Sequence, residues 1–184
     1  MKFSKTIMGV VTASTLLAAG ASAADGERKF DGAYAGIEAG VDWTKLAGDV
    51  KRDRSLYYGG VIGFRRQMDN NMVYGLEGTF GDTGYNNNAT GMKSEYEWSA
   101  SLTLGQAFGS DGANLIYGKA GYVRTRFDPT SADGDAFNDN GWRFGGGYER
   151  ALGESLSLRV GADYTTYGDD KNAWTTKAGL IARF

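Results

Sequence analysis

Trp174-Thr-Thr-Lys-Ala-Gly-Leu-Ile-Ala-Arg-Phe184 closes the chain and decides its fold. Apolar or aromatic residues alternate there with polar or small ones, and successive side chains of a β-strand point to opposite faces. Trp174, Ala178, Leu180 and Phe184 therefore share one face, and Lys177, Gly179 and Arg183 the other. Alternation that runs to a terminal aromatic reads as the last strand of a sheet that closes on itself in a membrane.

The amino terminus assigns a compartment. Lys2 and Lys5 lead into an apolar run from Ile7 to Ala21, and Ala21-Ser22-Ala23 supplies small residues for cleavage, the pattern of a secretory signal. The run is shorter than the roughly 20 apolar residues a membrane helix needs. Residues 1–23 are expected to be removed as a signal peptide, leaving one domain over residues 24–184.

Composition narrows the function classes. The chain has no cysteine and no histidine, so it must hold together without disulfides and lacks the usual ligands of zinc, copper and haem. No cofactor and no metal are expected; any ion would have to be a hard one held by oxygens. A net charge of -2 and a pI near 5.2 provide no basic surplus for a phosphate backbone, which argues against nucleic acid as a partner. Twenty-nine glycines, a single proline at Pro129 and 13% aromatics favour strands over helices. A mean hydropathy of -0.40 excludes a helical bundle in lipid but permits a barrel, where only alternate residues face hydrocarbon.

Period-two patterning predicts eight strands: Gly32 to Trp43, Leu56 to Gln67, Met72 to Gly81, Ser94 to Phe108, Asn114 to Arg126, Gly141 to Leu152, Ser155 to Tyr167 and Ala173 to Phe184. Each is close to the about 9–11 residues a tilted strand needs to cross a bilayer. Met68 to Asn71, Gly109 to Ala113 and Gly153 to Glu154 are tight turns rich in Asp, Asn, Gly and Ser. Thr44 to Ser55, Asp82 to Lys93, Phe127 to Asn140 and Gly168 to Asn172 are longer and polar. The expected fold is all-β: an eight-stranded antiparallel up-and-down transmembrane β-barrel with short periplasmic turns and longer extracellular loops.

The two faces differ in content. Ile37, Ile62, Phe64, Leu76, Phe80, Leu102, Leu104, Ile116, Phe144, Leu158, Val160 and Leu180 mark a lipid face. Glu38, Arg65, Glu77, Glu97, Lys119, Arg143, Glu149, Arg159, Asp163, Lys177 and Arg183 occupy the opposite, lumen face, six basic and five acidic, together with most of the glycines. A soluble lipocalin-like barrel would alternate the same way with the faces exchanged. The tryptophans separate the two. Trp43, Trp98, Trp142 and Trp174 share parity with the apolar face and gather at the end of the long loops, forming a girdle at headgroup level.

These residues resemble the small eight-stranded outer-membrane barrels of Gram-negative bacteria, OmpA/OmpX-like and nearest to the porin-family surface-antigen barrels. The resemblance rests on Phe30-Asp-Gly-Ala-Tyr-Ala-Gly-Ile-Glu-Ala-Gly40, Gly59-Gly-Val-Ile-Gly-Phe64, Val73-Tyr-Gly-Leu-Glu-Gly78, Tyr117-Gly-Lys-Ala-Gly121, Gly141-Trp-Arg-Phe-Gly-Gly-Gly-Tyr-Glu149 and the terminal Phe184. It implies a bacterial outer-membrane location and makes Phe184 the signal read by the outer-membrane insertion machinery during assembly.

Enzymes of similar barrel size use a histidine to activate a nucleophile at neutral pH. With none here, the chain is expected not to be an enzyme; a Ser–Lys or carboxylate pair is formally left, but the sequence does not bring groups such as Ser101 and Lys119 within reach of each other. The lumen charges read as a paired filling, since eight strands leave an interior just wide enough for side chains. Glu38, Glu77, Glu149, Arg159 and Lys177 are expected to form one network. In the first long loop, Lys51, Arg52 and Arg54 have an ordinary reading as solvated charges and a functional one as contacts to lipopolysaccharide phosphates. Asp128, Asp133, Asp135 and Asp139 lack the register of a calcium loop, and Asn88-Ala-Thr90 is a chance sequon.

The expectation is therefore an integral outer-membrane protein with a structural or surface role, its partners membrane lipid, lipopolysaccharide and the insertion machinery. Alternatives are a narrow porin-like pore or small-ligand barrel, and a surface adhesin working through its loops, where Tyr85, Met92 and Phe137 could anchor a partner that the sequence does not name.

Overall fold

Glycine-rich, alternating segments with no interior proline leave the backbone one way to satisfy its polar groups, which is pairing between neighbours in sequence. In the computed structural model, which describes residues 28–45, 53–82, 86–87, 92–129, 137–167 and 171–184, that pairing gives eight strands. They are β1 (Gly32–Lys45), β2 (Asp53–Gln67), β3 (Met72–Asp82), β4 (Met92–Phe108), β5 (Asn114–Pro129), β6 (Phe137–Ala151), β7 (Leu156–Tyr167) and β8 (Asn172–Arg183). A two-residue rung, Asn86–Asn87, pairs with the start of β4.

Each strand lies antiparallel to its sequence neighbours, and β8 returns to β1 in a register running from Tyr34 opposite Arg183 to Lys45 opposite Asn172. The sheet therefore has no free edge. The Phe184 amide donates to the Ala33 carbonyl at 2.8 Å and the Arg183 amide to the Ser155 carbonyl at 2.8 Å, so the final residues sew the seam. The signal peptide and the start at residue 24 lie outside the described residues, as do Lys51, Arg52, Tyr85, Asn88 to Thr90, Asp133 and Asp135.

Strand boundaries match the sequence pattern at the turn end, where chemistry is local. In the β2–β3 turn, Asn71 adopts φ 62°, a left-handed conformation that Asn tolerates, and Asn70 Oδ1 accepts the Met72 amide at 3.1 Å. Gly109 and Gly112, at φ 96° and 58°, serve the β4–β5 turn in the same way. At the other end the strands run further than hydrophobic patterning indicates. β6 begins at Phe137 rather than Gly141, because Phe137 to Asn140 pair with Arg124 to Phe127 even though Asn138, Asp139 and Asn140 are polar.

The barrel is inside out. Ile37, Leu76 and Leu102 are 69%, 63% and 67% exposed, whereas Arg143, Glu149 and Arg159 are 1%, 0% and 2% exposed. A water-soluble barrel would bury the former and expose the latter. Within the wall, an apolar floor of Phe30, Val73, Ala107, Ala113, Leu115, Tyr117 and Ala151 closes the turn end. Phe30, just before β1, is its plug: its amide donates to Gln67 Oε1 at 3.0 Å and the Arg183 guanidinium stacks 5.6 Å from its ring.

Lumen glycines make room for large neighbours. A side-chain carbon at Gly63 would strike the Tyr34 ring and lie 2.6 Å from the Leu76 carbonyl oxygen. Gly63→Val is expected to destabilise the barrel by about 1–3 kcal/mol through overpacking, measured as a lower temperature for loss of the compact, heat-sensitive band on gels; an unchanged temperature would show that Tyr34 yields freely.

Candidate functional site

All eight strands contribute charged side chains to the lumen. Arg159 of β7 stands at the centre: its Nη1 donates to Glu77 Oε2 at 2.7 Å and lies 3.5 Å from Glu38 Oε1, and its Nε donates to Glu149 Oε2 at 3.0 Å. From Glu77 the contacts pass to Lys119 at 3.1 Å, from Lys119 to Asp163 at 3.2 Å, from Asp163 to Lys177 at 2.8 Å, and from Lys177 to Glu38 at 3.8 Å. Charges alternate round a closed ring that returns to Arg159. Arg65 joins from outside the ring through Glu149 at 3.0 Å.

Aromatic rings fill the gaps between the charges. The Arg65 guanidinium lies 4.0 Å from the Tyr34 ring centroid, and Arg159 lies 5.2 Å from Tyr34 and 5.3 Å from Tyr117. The Tyr34 hydroxyl donates to Glu77 at 2.8 Å, and the Lys177 ammonium sits 4.4 Å above Tyr57. Such cation–π contacts are stronger when desolvated. A void among Glu38, Tyr117, Lys119, Arg159, Gly161, Asp163 and Lys177 measures about 10 Å³, room for at most one water.

Nearer the loop end, Arg143 and Glu97 form a separate pair at 2.7 Å, with Arg143 Nε donating to Thr165 at 2.9 Å and Thr125 donating to Glu97 at 3.3 Å. Asp42 sits close by, its oxygens accepting the Thr175 hydroxyl at 2.6 Å and the Thr44 hydroxyl at 2.5 Å.

All eleven lumen residues expected from parity are buried, and the five expected to share a network do so, with Arg65, Lys119 and Asp163 joining them. Arg183 departs from the expected ion pairing: it donates to the backbone carbonyls of Lys29, Gly153 and Leu156, the last two at 2.5 and 3.2 Å, and braces the floor. Asp42 escaped the sequence reading although it shares parity with Glu38. With it, the buried charges among the described residues number six basic and six acidic. Tyr34, Tyr57, Tyr117 and Tyr167 were also missed, because tyrosine suits either face and only parity identifies them.

The four tryptophans point outward at the loop end. Trp43 pairs in register with Trp174, whose ring lies 5.0 Å from Tyr164, and Tyr122 stands between Trp98 at 6.0 Å and Trp142 at 6.4 Å. Arg54 is exposed and opposite Trp43. Asp139 pairs with Lys171 at 3.0 Å. Among the described residues no group of three or more His, Cys, Asp or Glu is placed to hold a metal.

An apolar outer wall, an aromatic rim and a neutralised interior define a membrane-spanning β-barrel. The chain belongs to the outer membrane protein beta-barrel domain family, whose model matches residues 10–184. A 22 kDa outer membrane protein of Rhizobium leguminosarum bv. viciae is 28% identical over 140 residues, 74% of this chain, and the match spans 65% of that protein's length. Neisserial surface protein A superposes with a TM-score of 0.61 at 14% identity, covering 84% of this chain and 98% of that one. Ail, the attachment invasion locus protein of Yersinia pestis, gives 0.59 at 14% identity, covering 84% and 99%. The likeness to these two is one of fold. The protein is thus an outer-membrane barrel.

Removing one member of a buried charge network leaves its partners uncompensated, at a cost of about 3–5 kcal/mol. Arg159→Met is expected to lower the gel-shift temperature more than Gly63→Val. Glu77→Gln combined with Lys119→Met should be milder than Glu77→Gln alone, and a strictly additive double variant would rule out their coupling.

Proposed function

We propose that this protein is a closed, non-enzymatic structural and surface component of the outer membrane, exported by a signal over residues 1–23. The observation that carries the reading is the closed charge ring: each ring carboxylate lies between two cations, and the void among the ring residues holds no more than a water. A conducting path needs sites that an ion can enter and leave, and fixed pairs leave none. Eight strands also enclose too narrow an interior for an aqueous channel, which takes roughly 16 or more.

The same pairing supports the absence of catalysis. Lys119 is held between Glu77 and Asp163 at 3.1 and 3.2 Å, so its ammonium is engaged by two carboxylates and not by Ser101. Phe184, half-buried at the seam of β8 and β1, is the signal for the insertion machinery. Lys51, Arg52 and Arg54 contact lipopolysaccharide; Arg54 supports this by facing outward beside Trp43.

Purified protein in planar bilayers is expected to give no stable conductance steps. Steps that persist at fixed voltage would overturn the closed-lumen reading.

A further inference from the structure

The outward-facing arginines differ between the two rims. At the periplasmic rim each finds a partner in the protein: Arg66 reaches Asp31 at 3.3 Å and Arg150 reaches Asn114 at 3.0 Å. At the extracellular rim Arg126 is also engaged. Arg124, two residues earlier on β5, is exposed and has no carboxylate partner among the described residues.

The surroundings of Arg124 suit an amphipathic ligand. It stands in register between Trp98 on β4 and Asn140 on β6, both exposed. Immediately toward the membrane lies Tyr122, with Trp98 inclined at 55° on one side and Trp142 edge-on at 86° on the other. Below these rings the wall is apolar, with Leu102 67% and Phe144 50% exposed. Aromatic rings of this kind sit at the headgroup boundary. A guanidinium one step above them lies where lipid phosphates lie, and its planar fork donates to phosphate in bidentate fashion. The Asn140 amide adds a neutral donor with no charge to repel an anion. Arg54 opposite Trp43 repeats the motif three strands away.

We infer that Arg124, Asn140 and the Trp98–Tyr122–Trp142 platform bind the phosphorylated headgroup of an outer-leaflet glycolipid. The guanidinium takes the phosphate, and the rings cover the upper part of the acyl region. This deepens the reading of the protein as an outer-membrane surface component, since it requires the loop end to face the outer leaflet.

The test reconstitutes the full barrel in phosphatidylcholine nanodiscs with lipid A, or with lipid A stripped of its phosphates, and counts retained glycolipid by native mass spectrometry. The wild-type protein should retain the phosphorylated form about tenfold better, the ratio expected for one charge-assisted contact. In a background in which Lys51, Arg52 and Arg54 are changed to Gln, Arg124→Gln should remove most of the preference that remains, whereas Arg66→Gln at the periplasmic rim should leave it intact. Equal retention of both glycolipids by the wild type, or an undiminished preference in Arg124→Gln, would overturn the site. Loss of the heat-dependent gel shift in the wild type would instead overturn the barrel reading beneath it, so the two failures are distinguishable.

Discussion

A guanidinium enclosed by a narrow barrel is tolerable only where carboxylates meet it directly, and Arg159 meets Glu38, Glu77 and Glu149 at once. The rest of the structure depends on that constraint. Those three carboxylates come from β1, β3 and β6, so the hub ties together strands that share no backbone hydrogen bonds with β7, apart from β6. Backbone pairing fixes each strand to its neighbours; the charge ring fixes opposite walls to one another. A chain without cysteine has no covalent cross-link with which to do this.

Neutrality is met group by group and not merely in sum. Asp42 and Arg183, the two buried charges with no ion pair among the described residues, lie toward opposite ends of the lumen and use different remedies. Asp42 accepts two hydroxyl donors, while Arg183 donates to backbone carbonyls. Both remedies belong to positions near a mouth, where the strand ends offer free carbonyls and the threonine-rich ends of β1 and β8 offer hydroxyls.

This explains what could be read from the chain beforehand. Strand number, parity and the lumen set follow from a period of two, because a one-residue error would bury Leu and expose Arg along a whole strand. Glu38 and Arg159 were therefore legible as interior residues. Their pairing was not wholly so, since contact across a barrel depends on stagger between strands, which parity does not encode. Arg183 is the case in point: its face was evident, but its partners are carbonyls brought near by the β6–β7 turn and the segment before β1. Asp42 was hidden by the opposite difficulty, lying close to a predicted strand end where polar residues look like loop. Phe30 had no periodic context at all, being the residue that plugs the floor before alternation begins.

The two charge environments divide the labour of the molecule. Inside, every buried cation of the described residues has protein partners, which hold opposite walls of the barrel together. At the loop end, Arg54 and Arg124 are exposed and stand in register with Trp43 and Trp98. A side chain that the fold does not use for its own cohesion is available to its surroundings, and here the surroundings are a lipid leaflet. The interior ion pairs thus serve cohesion between strands, while the exposed rim arginines lie outside that network.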